Sequence, residues 1–129
     1  MPLSARDVSR LNGVHPDLVR VAHRAAAICS ITFIVVEGVR TLAKQREYFQ
    51  AGKSKTMNSR HLTGKAVDLA PIVDTDGDGD LELSWAKNDF LPIVKAMKAA
   101  AKELGVAMEH GADWGWDSPH HELKRAAYP

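Results

Sequence analysis

The sequence predicts an α+β fold in one small domain, with a central antiparallel sheet of about four strands and three main helices. Three observations carry that expectation. The run at 31–36 is β-branched and too short for a typical buried helix, and the short segments 66–70, 106–109 and 120–123 are further strand candidates. Between them, segments ending near residues 28, 51 and 104 repeat apolar residues at helical spacing or carry helix caps. The 129 residues suit a single core, and no repeat, low-complexity tract or linker divides residues 1–129.

Ser4 with Asp7 forms a capping-box pattern for a short first helix that Asn12-Gly13 ends. Pro16 suits a first helical position and Asp17 the helix dipole. Leu18, Val21, Ala22, Ala25 and Ile28 then mark one apolar face of about 14 residues. His15 and His23 beside it are expected to cap or to face solvent, and Cys29 to be an inert packed thiol. Residues 31–36 are expected to form a central strand that delivers Glu37-Gly38-Val39-Arg40 to its end. Thr41 can cap the next helix, from Leu42 to about Ala51, closed by Gly52. A polar loop from Lys53 leads to His61, with a turn at Gly64 before the second strand. After an acidic stretch, Ser84 can cap a segment whose regular helix starts near Pro92. Ile93, Met97, Ala100, Ala101 and Leu104 form its apolar face, and Gly105 closes it. Residues 106–109 and 120–123 supply the last strands around a turn at Gly111, and 124–129 look like a frayed tail.

A formal net charge of +1 excludes a dedicated nucleic-acid binder, which carries a basic excess. One cysteine excludes an internal disulfide. No window of ~18 uncharged apolar residues suggests a membrane span, and the first residues lack a secretory h-region. The expectation is a monomer made in a cytoplasm and delivered by other means to any substrate outside.

Chemistry concentrates in two stretches, Ser59-Arg60-His61-Leu62-Thr63-Gly64-Lys65-Ala66-Val67-Asp68 and Trp116-Asp117-Ser118-Pro119-His120-His121-Glu122. Two imidazoles and one carboxylate are the ligand set of a catalytic zinc that keeps a position open for water. His61 in a turn with Asp68 and His120 on strands could converge in that way, leaving Asp117 as general base. Successive strand residues face opposite sides, so only one of His120 and His121 can point at the metal.

The pattern Ser59-x-His61-x2-Gly64-x-Ala66-x-Asp68 with Trp116-Asp117-x-Pro119-His120-x-Glu122 resembles a family of zinc peptidases. That family includes D-Ala-D-Ala carboxypeptidases and dipeptidases of the vancomycin-resistance type. The likeness is greatest to phage endolysins that cut the L-alanyl-D-glutamate bond of peptidoglycan, and it runs from about Glu37 to Leu123. It implies that His61, Asp68 and His120 bind zinc, that Asp117 is the catalytic acid/base, and that Arg40 helps polarise the scissile carbonyl. It further places Ser59 and Gln45 near the substrate. His121 departs from the aromatic residue usual in the family, and the Asp-x2-His spacing favours His120 as the ligand. Glu109, His110 and Asp113 are candidates to orient a ligand imidazole, and His110 is also the competing ligand. Trp114 and Trp116 are expected as pocket wall or core in preference to a sugar-stacking platform.

The resemblance therefore implies a zinc-dependent peptidoglycan endopeptidase with no separate wall-binding domain, made in the host cytoplasm and acting on the wall after release. The rivals are a D-Ala-D-Ala carboxypeptidase or dipeptidase on the same scaffold, and a non-catalytic wall-binding module whose structural zinc would take Cys29 or His110 as fourth ligand. Asp74, Asp76, Asp78 and Gly79 also follow the start of a calcium loop, with Asp80 beside them and Glu82 at its ninth position, while Trp85 stands where the bidentate glutamate belongs. Calcium binding, with a structural or regulatory role, is set against a solvated acidic hairpin or a calcium-binding interaction protein.

Overall fold

The computed structural model describes residues 2–54 and 56–129. Four α-helices and five strands are present among them: α1 (Ala5–Arg10), α2 (Pro16–Ile28), β1 (Thr32–Glu37), α3 (Leu42–Gln50), β2 (Ala66–Val73), β3 (Glu82–Leu83), α4 (Leu91–Leu104), β4 (Met108–His110) and β5 (His120–Leu123). Single 3-10 turns lie at Arg60–Thr63, Lys87–Phe90 and Gly111–Trp114. The caps expected on the first three helices form, whereas Ser84 caps no helix: its hydroxyl accepts from the Ala86 N–H, and α4 begins without a side-chain cap. Ser4 and Asp7 make the reciprocal capping box of α1, His15 accepts from the Asp17 N–H, and Thr41 accepts from that of Lys44. Gly105 ends α4 in the left-handed conformation.

The sheet is antiparallel throughout and runs β1-β2-β5-β4, with the two-residue β3 also paired to β2. β2 is thus the central strand, and β1, expected in the centre, lies at the edge. Its apolar run misleads because the edge is covered. The Val35 N–H donates to the Asp7 carboxylate at 2.8 Å, and Arg10 donates to the Val35 carbonyl at 2.8 Å. α1 therefore takes both backbone groups that an edge strand would offer to water or to another chain.

Strand alternation then divides two environments. Phe33, Val35, Val67, Leu69 and Leu123 point into the core with α2 and α4, whose Leu18, Val21, Ile93 and Met97 are fully buried. Asp68, His120 and Glu122 occupy the alternate positions, and Asp68 sits opposite His120 in the β2–β5 register. The third predicted strand begins two residues later than expected, because the Val106 N–H still closes the helix on the Ala101 carbonyl.

The tail is docked rather than frayed. The Tyr128 hydroxyl donates to Asp17 at 2.6 Å, its ring meets His15 edge-on at 5.1 Å, and Arg60 donates to its carbonyl. Among the described residues no helix is long and apolar enough to cross a membrane.

Candidate metal centre and its cleft

His61 arrives on the 3-10 turn that Ser59 opens, its hydroxyl accepting from the His61 N–H. Gly64 ends that turn at φ +70°, where an added Cβ would lie 2.4 Å from the Gly13 carbonyl oxygen. Only glycine fits there, and it returns the chain into β2 so that Asp68 follows. Ligand-type atoms of His61, Asp68 and His120 lie within 4.8 Å of one another. His61 Nε2 is 3.1 Å and His120 Nδ1 3.3 Å from the same Asp68 oxygen.

The far nitrogens explain this orientation. His61 Nδ1 lies 2.8 Å from the Gly38 carbonyl, which can only accept, so Nδ1 carries the proton and Nε2 faces the centre. His120 Nε2 lies 2.9 Å from buried Glu122, so Nδ1 faces the centre. Each imidazole thus turns inward the nitrogen that a metal would take and is held from behind by an oxygen, as metal-binding histidines are. The donor set, two nitrogens and one carboxylate open to a cleft, fits a catalytic divalent ion.

Burial pushes the Asp68 carboxyl up, but hydrogen bonds from His120 and His61 outweigh it and hold it well below the usual carboxylate range. Burial likewise opposes the charge on His120, yet Asp68 and Glu122 raise its pKa to about 9 in the metal-free protein. A bound metal has to displace that proton.

The centre opens into a cleft of about 870 Å³ whose walls include Arg40, Ser59, Asp117 and all three tryptophans. Asp117 is half-buried, and desolvation raises its pKa, with the nearby Asp68 adding to the effect. Its backbone packs on Gly111, where a Cβ would stand 2.0 Å from the Asp117 carbonyl oxygen. The Asp117 carbonyl in turn accepts from the His120 N–H at 3.1 Å. Base candidate and metal ligand therefore share one tight turn.

Arg40 is held on three sides. It donates to Glu37 through two nitrogens, Nε at 2.7 Å, and to Gln45 at 2.6 Å, and it lies over the Tyr48 ring. Its Nη2 remains 3.8 Å from the outer oxygen of Asp68. Gln45, expected beside the substrate, is fully buried behind this wall and also donates to Ser54 Oγ and the Thr56 carbonyl. A carboxamide can accept from Arg40 and donate to the loop at once, so Gln45 positions the arginine instead of lining the cleft.

His121 turns to the opposite sheet face and pairs with His110, the two Nδ1 atoms 2.8 Å apart. Burial lowers both, His110 to about 4 and His121 well below its ordinary value. His110 is therefore not a fourth ligand, Asp113 pairs with Lys98, and Cys29 caps the far end of α2. Glu122 carried no assigned role in the sequence reading, although it shares a strand face with His120 two residues away. That spacing is the signal that finds it.

At the acidic loop, oxygens of Asp74, Asp76 and Asp78 come within 4.8 Å of one another. Asp74 accepts from the Gly77 and Gly79 N–H groups, and these hydrogen bonds lower its pKa. Asp80 and Glu82 do not join that group. The Asp80 N–H donates to Asp78, and Glu82 accepts from both the N–H and the hydroxyl of Thr75.

A family model described as phage L-alanyl-D-glutamate peptidase matches residues 1–128. The L-alanyl-D-glutamate peptidase of Escherichia phage T5 is 37% identical over 124 residues, covering 92% of this chain and 86% of that protein. The peptidoglycan L-alanyl-D-glutamate endopeptidase CwlK of Bacillus subtilis is 32% identical, over 77% of this chain and 65% of its own. Among solved structures, the Serratia marcescens L-Ala D-Glu endopeptidase ChiX superposes with a TM-score of 0.88 at 40% identity, covering 100% of this chain and 94% of its own. With the family model spanning nearly the whole chain and relatives matched over most of their length, this chain belongs to the phage L-alanyl-D-glutamate peptidase family.

Proposed function

We propose that this chain is a zinc peptidase that hydrolyses the L-alanyl-D-glutamate bond of peptidoglycan stem peptides, with His61, Asp68 and His120 as ligands and Asp117 as acid/base. The observation that supports it most is the pair of ligand imidazoles, each backed by its own acceptor and both aimed at Asp68 beside a cleft. Bound zinc would supply a Lewis acid for the scissile carbonyl and lower the pKa of its water toward ~7. Asp117 takes the proton of the attacking water and returns it to the departing D-glutamyl amine. Its raised pKa suits a group that must hold a proton between those two events. Arg40, fixed by Glu37 and Gln45, adds positive charge where the oxyanion develops. Ser59 holds the turn of His61 at the cleft edge.

Purified protein incubated with peptidoglycan and zinc should release L-alanine carboxyl ends and D-glutamate amino ends, identified by mass spectrometry. Asp117→Ala should still bind zinc and release neither. Free D-alanine as the product would favour the carboxypeptidase reading, and intact peptidoglycan with folded, zinc-loaded protein would favour a wall-binding module. Residues 1–129 act as one catalytic domain in this reading, monomeric, made in the host cytoplasm and reaching the wall after release.

We extend the reading to calcium at Asp74, Asp76 and Asp78, whose clustered oxygens suit a hard cation, with Asp80 and Glu82 able to close on it. Equal turnover with calcium and with a chelator that spares zinc would remove any coupling to activity.

A further inference from the structure

The chain has three tryptophans, and none is in the core. Trp85, Trp114 and Trp116 all line the cleft and keep 59%, 38% and 63% of their surface exposed. Tryptophan is on average a highly buried residue, so three half-open indoles around one cavity leave unusual apolar area in water. Trp114 and Trp116 form a continuous surface that starts at the metal centre, and Trp85 lines the same cleft. The Trp114 ring lies 5.4 Å from the His120 imidazole, and the Trp116 ring a further 5.8 Å from Trp114, tilted by 35°. Lys98–Asp113 braces the turn that carries Trp114, and Lys87 donates to the Gly115 carbonyl, tying the Trp85 segment to the same turn. The remaining wall is polar, with Arg40, Tyr48, Asn58 and Ser59.

A cleft with one aromatic wall and one hydrogen-bonding wall suits a ligand with an apolar face and a rim of hydroxyl and amide groups. The L-alanine of the stem peptide, a single methyl, covers little of this surface. On the acyl side of the scissile bond, the L-alanine nitrogen is amide-linked to a lactyl group carried as an ether on an N-acetylated amino sugar. Lactyl and L-alanine together span roughly 7 Å at ~3.6 Å per residue, enough to reach from the metal centre past the Trp114 ring, 5.4 Å from His120, toward Trp116. Resting on the peptidase reading above, we propose that Trp114 and Trp116, with Trp85 at their edge, form a subsite for the amino sugar that bears the stem peptide. The enzyme then reads glycan and peptide together.

The test compares two substrates, a stem peptide carrying N-acetylmuramic acid and the same peptide with a plain N-acetyl cap. Wild type should favour the sugar-bearing substrate by about tenfold or more in kcat/KM, expressed mainly in KM. Trp116→Ala should bring that ratio toward one, while Trp116→Phe should retain most of it and show that the fold is not at fault. All three indoles line the cleft, so intrinsic fluorescence of the metal-free protein reads binding directly. N-acetylmuramyl-L-alanine should shift it in wild type and not in Trp116→Ala. Equal kcat/KM for two substrates that are both cleaved overturns the subsite and leaves the peptidase reading standing. Cleavage of neither sinks the peptidase reading and the subsite with it. An emission shift that grows with protein concentration without ligand would assign the wall to a second copy of the chain and overturn the proposal.

Discussion

Replacing Glu122 by glutamine keeps the size of the side chain and an oxygen able to accept from His120 Nε2, but removes the charge. The hydrogen bond is 2.9 Å long and buried, and Glu122 also faces Arg60 Nε at 3.9 Å. A hydrogen bond to a charged partner contributes about 1.5–3 kcal/mol and a neutral one about 0.5–1.5 kcal/mol. The exchange should therefore cost roughly 1–1.5 kcal/mol, or about tenfold in zinc affinity, at the low end of what partners behind a metal ligand contribute. Glu122→Leu should cost more, because it leaves the His120 N–H unpaired and Arg60 as a buried cation without its carboxylate. Competition against a chromophoric chelator at fixed pH reads the affinity, and nitrogen chemical shifts of His120 read which ring nitrogen carries the proton. A Glu122→Gln protein that binds zinc as tightly as wild type, with His120 still protonated at Nε2, would show that the imidazole is oriented without this carboxylate and refute the reasoning.

Three further outcomes follow from the geometry. Gly111→Ala would drive a Cβ to 2.0 Å from the Asp117 carbonyl oxygen, so the turn must move; kcat/KM should fall about 100-fold and zinc affinity should fall with it, because His120 hangs on the same carbonyl, and full activity would show that the turn is not strained by it. Metal-free protein should be most stable near pH 6.5. Above it, the folded state holds a proton on His120 up to about pH 9 that the unfolded chain has released, so stability falls as pH rises. Below it, unfolded His110 and His121 take protons that the buried pair refuses, so stability falls again toward pH 4. Zinc should remove the alkaline limb, and urea midpoints flat across this range would contradict both. Deleting residues 126–129 takes away an acceptor of Arg60 and the Tyr128–Asp17 hydrogen bond, and should lower the melting midpoint by about 4 °C. An unchanged midpoint would mean that the tail is not docked in solution.

What could be read from the sequence was what is written locally. Caps at Ser4 and Thr41, Pro16 at a helix start and Gly105 at a helix end depend on neighbours a few residues away, and each appears where expected. The proposed ligand residues were legible because the two stretches together match the motif of a zinc-peptidase family; strand alternation allows only one of His120 and His121 to face the metal, and the Asp-x2-His spacing favours His120. Long-range packing was not legible. The apolar face of β1 reports that it is covered, not that α1 covers it through Asp7 and Arg10. Tyr128 offers no local hint of Asp17, 111 residues away. The two-residue β3 is too short to show a period. Gln45 was placed near the substrate, but only the folded chain shows it standing behind Arg40. The His110–His121 pair lies across two strands and is invisible to any single stretch.

The two proposed ligand imidazoles differ in how they can change over time. His61 is steered by a main-chain carbonyl at Gly38, and a Cβ at that glycine would meet the Arg10 carbonyl at 2.3 Å. No side-chain replacement can delete that acceptor, and few could displace it without dislodging α1 as well. His120 is steered by a side chain, which a single codon can alter. Metal affinity in this scaffold therefore has one fixed anchor and one adjustable setting. Selection or an engineer seeking a looser or tighter centre would find the adjustment at position 122 and meet resistance at position 38.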